Sequence, residues 1–285
     1  MEVKSVAVIG AGTMGNGIAQ VIAASGTAVI MTDINDAGLK RGLDAIDKSL
    51  QRLVSKQKLN EQDKDALISR IRTTTRLDDI ADCDVVVEAA TENLELKLKI
   101  FADLDRIAKP VAILASNTSS ISLTRIAGST RRPSQVIGMH FFNPVPVMPL
   151  VELIRALQTS DDTYLTIRTL TEKLGKSPVE VKNSPGFVGN RILLPMLNEA
   201  AWCLHEGLAT AEDIDSVMKL GMGHPMGPLA LADLIGLDTC LAILQVLYEG
   251  FKDPKYRPCL LWQEMVDAGH LGRKSGRGFF DYSKK

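Results

Sequence analysis

The chain has 285 residues, 45% of them apolar and 24% charged, with a net charge of −1. These proportions describe a globular protein of one large or two ordinary domains, and the near-zero charge gives no support for nucleic-acid binding. No apolar run approaches the roughly 18 residues that span a bilayer, and Cys83, Cys203, Cys240 and Cys259 are too widely spaced for a zinc site, so reduced thiols, a cytoplasmic location, no membrane contact and no metal are expected.

Val3 to Ile9 is a β-branched run that ends in glycine, and a strand this early leaves no room for a secretory leader. Gly10-Ala11-Gly12-Thr13-Met14-Gly15 follows and opens a helical pattern that continues to Ser25. Gly26 breaks the pattern, and Ala28 to Asp33 reads as a second strand. Strand, glycine-rich turn, helix and strand within about 30 residues form the setting that a dinucleotide fingerprint requires. Gly10 permits the tight turn, Gly12 lets the backbone approach a pyrophosphate, and Gly15 lets helix and strand pack closely. The helix amino terminus offers N–H groups and a positive dipole end to the phosphates. Asp33, closing the second strand, can accept hydrogen bonds from a ribose 2′-hydroxyl and would repel a 2′-phosphate, which favours NAD over NADP.

Asn35 to Lys56 is helical in pattern, with Leu39, Leu43, Ile46, Leu50, Leu53 and Val54 on one buried face. Asn60 to Arg70 also reads as helix, and the two look like a helical insertion after the second strand. Lys40, Arg41, Lys48, Arg52, Lys56 and Lys58 make this segment basic, as a solvated face or as a seat for an anionic substrate tail. Asp84 to Ala89 is a strand of the buried type, followed by a helix from Glu92 to Ala108 and a strand from Val111 to Ala115. Ser116-Asn117-Thr118-Ser119-Ser120 then stands where open α/β sheets bind ligands, and some of these residues are expected to cap the next helix.

Gln135 to Phe142 is a strand ending in a histidine stretch. Pro144, Pro146 and Pro149 bar a regular ladder beyond it, and Leu150 to Ile154 resumes a strand. Antiparallel pairing about Pro146 would set His140 opposite Glu152, as an acid–base pair beside the cofactor. A helix from Asp161 to Leu174 and a strand from Pro178 to Lys182 complete a first domain, 1–183.

Ser184 reads as an N-cap and Pro185 as a first helical residue, opening an apolar helix from Phe187 to about Glu206. Thr210 to Asp213 resembles a capping box. A loop from Gly221 to Pro228 precedes helical patterns over Leu229 to Phe251 and Pro258 to Ala268. The expected architecture is α/β, a Rossmann-type dinucleotide-binding domain followed by an all-α domain, 184–285. Leu229, Leu234, Leu237, Leu241, Leu244 and Leu247 mark either a homodimer interface or an ordinary helical core.

Six motifs in order, GAGTMGNGIAQ from Gly10, VVVEAATENLELK from Val85, SNTSS from Ser116, GMHFFNPVPVMPLVE from Gly138, SPGFVGNR from Ser184 and GHPMGPLALADLIGLD from Gly223, make the chain resemble the short-chain L-3-hydroxyacyl-CoA dehydrogenases over essentially its whole length. The resemblance implies NAD-dependent oxidation of an (S)-3-hydroxyacyl-CoA, with 3-hydroxybutanoyl-CoA foremost, and the reverse reduction of acetoacetyl-CoA. It implies that Gly10, Ala11, Gly12, Thr13, Met14, Gly15 and Asp33 hold the pyrophosphate and adenosine ribose of NAD. Glu92 and Lys97 would border the nicotinamide ribose, while Ser119 and Asn143 would lie near both nicotinamide and substrate. His140 would be the base with Glu152 as its partner, and Asn190 would hydrogen-bond near the reacting carbon. Ser49 and Lys56 match positions that touch coenzyme A, and Lys274 matches an NAD-contacting position. The implied partners are an acyl-CoA thioester and a second copy of the chain. A gulonate-type dehydrogenase of a free hydroxy acid and a non-catalytic NADH-binding structural protein remain the competing readings.

Overall fold

The β-branched run at the amino terminus forms strand β1 (Ser5–Ile9), and helix α1 (Thr13–Ala24) starts directly after Gly12. Strand β2 (Ala28–Thr32) lies parallel to β1. Helix α2 (Asp36–Ser55) is capped by the Asn35 side chain, which accepts the Gly38 N–H, and α3 (Glu61–Ser69) by Asn60, which accepts that of Asp63. Strand β3 (Ile71–Thr74) then pairs parallel with β2. The expected helical insertion is therefore the crossover between β2 and β3. Of the four β3 residues only Ile71 is buried, so its sequence carries no strand pattern.

Strand β4 (Val85–Glu88) is buried throughout, α4 (Leu94–Ile107) is capped by Asn93, and β5 (Ile113–Ser116) is again fully buried. Helix α5 (Leu123–Ala127) is capped by Ser122. Strands β6 (Val136–Phe141) and β7 (Leu150–Arg155) pair antiparallel with His140 opposite Glu152, the register expected from pairing about Pro146. Helix α6 (Asp161–Lys173) leads to β8 (Ser177–Lys182), which pairs parallel with β7. The eight strands form one sheet in the order β3-β2-β1-β4-β5-β6-β7-β8, in which β7 and β8 run against the other six. Ile18, Ala19 and Ile22 of α1, Ile46 and Leu50 of α2, and Val6, Val8, Val85 and Val87 of the strands share one core.

The computed structural model describes residues 1–283 and forms two compact units that part after Asn183. Residues 284 and 285 of the expected second domain lie outside the described residues. The second unit is helical: α7 (Gly189–His205), α8 (Ala211–Gly221), α9 (Pro228–Ile235), α10 (Leu237–Phe251) and α11 (Leu260–Asp267). Thr210 caps α8 as expected, accepting the Asp213 N–H. The α7 start differs from expectation. Gly186 (φ 70°) and Phe187 (φ 50°) lie in the left-handed region, so Ser184-Pro185-Gly186-Phe187 is a turn, closed by Phe187 N–H to Ser184 O, and the helix begins two residues later. The expected helix from Leu229 to Phe251 is two helices bent by 99°, because Gly236 has φ 105°, outside any right-handed helix.

Leu237, Leu241, Leu244 and Leu247 are buried inside this unit with Leu194, Leu197 and Trp262, and Leu229 is buried as well. Five of the six leucines are thus buried within the chain itself, as an ordinary helical core requires, and Leu234 alone is half exposed. Among the described residues no single helix is long and apolar enough to cross a membrane.

Candidate active site

The strand order reverses between β1 and β4, and in open α/β sheets the crevice beyond the carboxyl ends of strands at such a point takes the ligand. Gly10 stands there with φ 99°, its N–H donating to Thr32 O at 2.7 Å; a Cβ on it would come within 2.8 Å of the Ala89 carbonyl. A Cβ on Gly15 would collide with the Gly10 carbonyl. A Cβ on Gly12 would meet nothing within 4 Å, so the open side of the turn lies at Gly12. No side chain caps α1 and no acidic residue occupies its first turn, which leaves its amino-terminal N–H groups to an anion. Thr13 is exposed and Met14 half-buried at this helix start. Asp33 Oδ2 accepts the Ala11 N–H and Oδ1 the Ile34 N–H, each at 2.8 Å. An open glycine turn, an uncapped helix start and a carboxylate at the end of β2 fit the pyrophosphate and adenosine ribose of NAD.

A second group sits at the ends of β4 and β5. Glu88 is fully buried; its Oε1 accepts from Lys97 Nζ and Ala90 N–H, both at 2.7 Å, and its Oε2 from Ser116 Oγ at 2.6 Å. Lys97 is 1% exposed and also reaches Ala90 O at 3.2 Å and Glu92 Oε2 at 3.4 Å. Its ammonium is thus turned into a carboxylate pair and away from solvent, so it acts on the loop that follows β4. Glu92 Oε1 in turn accepts from the Thr118 and Ser120 hydroxyls and from the Ser119 and Ser120 N–H groups. Burial pushes the Glu92 carboxyl up, but Lys97 and the hydrogen bonds from Thr118, Ser120 and Ser119 outweigh it and hold the carboxyl below its ordinary value. The small polar residues after β5 therefore clasp Glu92. The expected cap role falls to Ser122, which directly precedes α5 and accepts the Arg125 N–H, while the Thr118 hydroxyl oxygen accepts the Ser120 and Ile121 N–H groups of its own turn.

The third group is the hairpin pair. His140 Nδ1 lies 2.7 Å from Glu152 Oε2, both residues being buried, and the Phe142 ring packs 4.6 Å from the imidazole. Asn117 ties this strand end to the β5 loop: its Oδ1 accepts the Phe141 N–H at 2.9 Å, while its own N–H donates to Glu88 O at 2.7 Å. With an ionised Glu152, Nδ1 carries the proton that bridges the pair.

The structure thus brings the fingerprint with Asp33, the Glu92, Lys97 and Ser119 group, and the His140 and Glu152 pair to one end of the sheet, where the strands β1 to β6 finish. Asn143 is exposed in the turn after β6. Ser49 is half-buried on α2 and Lys56 is its exposed C-cap; Lys40, Arg41, Lys48, Arg52 and Lys58 are exposed with it, so this basic face is solvated in the free chain. Asn190 is the second residue of α7 in the helical unit. Lys274 of the same unit is exposed, and its ammonium is engaged by both carboxylate oxygens of Asp238. Glu88 had no role in the site expected from the sequence, and Asn117 entered it only as one of the small polar residues after β5. An acid inside a valine strand, nine residues before a lysine, was the available sign.

Two family models match the chain: the 3-hydroxyacyl-CoA dehydrogenase NAD-binding domain over residues 5–184, and the C-terminal domain of the same family over 186–282. A probable 3-hydroxybutyryl-CoA dehydrogenase of Bacillus subtilis is 55% identical over 285 residues, covering 100% of this chain and 99% of that protein. A 3-hydroxybutyryl-CoA dehydrogenase of Bradyrhizobium diazoefficiens is 54% identical over 280 residues, 98% of this chain and 96% of its own length. Among solved structures, (S)-3-hydroxybutyryl-CoA dehydrogenase from Ralstonia eutropha superposes with a TM-score of 0.96 at 57% identity, covering 99% of this chain and 100% of that one.

Proposed function

The chain belongs to the 3-hydroxyacyl-CoA dehydrogenase family, and on that premise we propose that it interconverts (S)-3-hydroxybutanoyl-CoA and acetoacetyl-CoA, with His140 as the base and Glu152 as its partner. It is an NAD-dependent dehydrogenase of 3-hydroxyacyl-CoA thioesters. The observation that carries the finer reading is the 2.7 Å contact between buried His140 Nδ1 and Glu152 Oε2. When bound, NAD supplies the acceptor for the C3 hydride.

Every other step falls to side chains of this protein. Glu152 holds the imidazole by Nδ1, so Nε2 is the nitrogen that takes the C3 hydroxyl proton. As the ring becomes cationic the adjacent carboxylate stabilises it, and in the reverse direction the same nitrogen returns the proton. Ser119 and Asn190 hold the C3 oxygen and so orient the C3 hydrogen. Asn143 supports the nicotinamide end, and Lys274 assists the same cofactor. Ser49 and Lys56 meet the coenzyme A moiety, and the protein works as a homodimer in the cytoplasm.

The test is a spectrophotometric assay with acetoacetyl-CoA and NADH, run beside free acetoacetate. Turnover with the thioester and none with the free acid is expected; the opposite preference would remove the proposed substrate. His140→Ala should lower kcat by roughly 10²–10⁴-fold, the usual worth of a general base, with NADH binding little changed. A variant that keeps near-wild-type turnover would end the assignment of His140.

A further inference from the structure

The turn between β6 and β7, residues 142–149, contains Pro144, Pro146 and Pro149. A proline has no N–H, so the turn has few donors for its own carbonyls. Val147 and Met148 N–H both go to Pro144 O. The Val145 and Met148 carbonyls are served from outside by one ammonium: Lys176 Nζ donates to Val145 O at 2.6 Å and to Met148 O at 2.8 Å. Lys176 is 9% exposed, and burial pushes its ammonium below the ordinary lysine value. A cation held among neutral carbonyls is costly to bury, and its hydrogen bonds are what offset that cost.

The base of this lysine is anchored. Helix α6 ends with Gly175 at φ 69°; Gly175 N–H donates to Glu172 O and Lys176 N–H to Thr171 O, the paired closure of a Schellman end. Ser177 N–H then donates to Pro149 O at 2.7 Å. On the other side Val145, 1% exposed, sits against Gly17 of α1, where a Cβ would approach its Cβ to 2.9 Å. The turn is therefore clamped between the fingerprint helix and the α6–β8 corner.

We propose that Lys176 is a positioning residue for the dehydrogenase reaction: by holding the Val145 and Met148 carbonyls it fixes the turn that joins the strands of His140 and Glu152, and so sets the imidazole against its carboxylate. This rests on the reading of His140 as the base. Lys176 touches neither reacting group, so its effect passes through the hairpin.

A double-mutant cycle on the full chain tests it, with Lys176→Met, His140→Ala and the combination. Lys176→Met keeps a four-atom apolar stem and removes the ammonium. It should lower kcat roughly 10- to 100-fold, the scale of a small misplacement at a reacting centre. The Kd for NADH, read by fluorescence, should change far less than kcat, since the fingerprint glycines and Asp33 are untouched and only Asn143 of the cofactor residues lies on this turn. The double variant should be no slower than His140→Ala alone. Unchanged kcat in folded Lys176→Met, a loss that multiplies with that of His140→Ala, or NADH binding that falls in step with kcat would each overturn the proposal. If Lys176→Met does not fold, Lys176→Gln, one atom shorter and neutral, takes its place in the same cycle with the same criteria. Near-wild-type turnover of His140→Ala alone would instead overturn the reading of the base and leave the Lys176 losses to be judged by the single variants.

Discussion

Asp33 has two tasks in one carboxylate. Oδ2 holds the Ala11 N–H of the glycine turn, and the group stands at the end of β2 where an adenosine ribose is expected. Asp33→Ala should therefore weaken NAD and at the same time remove the repulsion of a 2′-phosphate. The ratio of kcat/KM for NAD to that for NADP is expected to fall by about 10-fold or more, because a site built around a hydrogen bond discriminates strongly and loses that power with the group. Equal ratios in variant and wild type would assign Asp33 to the turn alone. Lys97, which the resemblance places at the border of the nicotinamide ribose, has its ammonium buried against Glu88 and within reach of Glu92, so it also orders the loop after β4. Gly10 and Gly15 of the fingerprint were legible because each fills a steric role that only a missing Cβ allows, whereas Gly12 faces open space. Glu88 was not, because in a run of valines an acid looks like a strand edge until its partners on α4 and β5 are placed.

Among the elements, the β6–β7 pair was legible in its register, since the prolines bar a ladder in the turn and only one antiparallel fold-back centres on Pro146. Strand β3 was not legible, since its three residues after Ile71 are polar and its place in the sheet comes from β2 alone. The joint between α4 and the segment before β6 depends on a charge cluster no local pattern announces. Asp105 of α4 accepts from Arg131 N–H and from the Arg132 guanidinium, which also reaches the carbonyls of Ala108 and Lys109 at the end of the helix. Burial raises the Asp105 carboxyl, but the Arg131 and Arg132 bonds outweigh it and hold it below its ordinary value of 3.8. A depressed carboxyl contributes stability that is present above the unfolded pKa and is lost as pH falls through the lower folded one. Asp105→Asn should thus destabilise by roughly 1–3 kcal/mol at neutral pH, the scale of a charged hydrogen bond. In urea unfolding the gap to wild type is expected to shrink below about pH 4; a gap constant with pH would assign the loss to packing.

At the scale of the whole molecule, the four free thiols report on the integrity of both units. Cys83 in the first, and Cys240 and Cys259 in the second, are buried, and Cys203 is half-buried. Burial pushes the Cys83 thiol up to about 11 and the Cys240 thiol up to about 12, and raises that of Cys259. The thiolate is the reactive form. A disulfide reagent such as Ellman's should therefore titrate Cys203 alone in the folded protein and all four cysteines after unfolding. Rapid reaction of a second thiol without unfolding would mean that one of the cores opens. The sequence by itself determined the parts whose signal is local: the strand–glycine–helix fingerprint, the hairpin register, the Thr210 cap and the family, since steric needs and periodicity are written in neighbouring residues. Only the tertiary structure decided that most of the leucine face of α9 and α10 is core, that Gly236 breaks one helix and Phe187 delays the start of another, and that Glu88, Asn117 and Lys176 hold the backbone at Ala90, Phe141, Val145 and Met148. Those facts rest on backbone angles and on hydrogen bonds between residues far apart in the chain, and such contacts leave no period in the sequence.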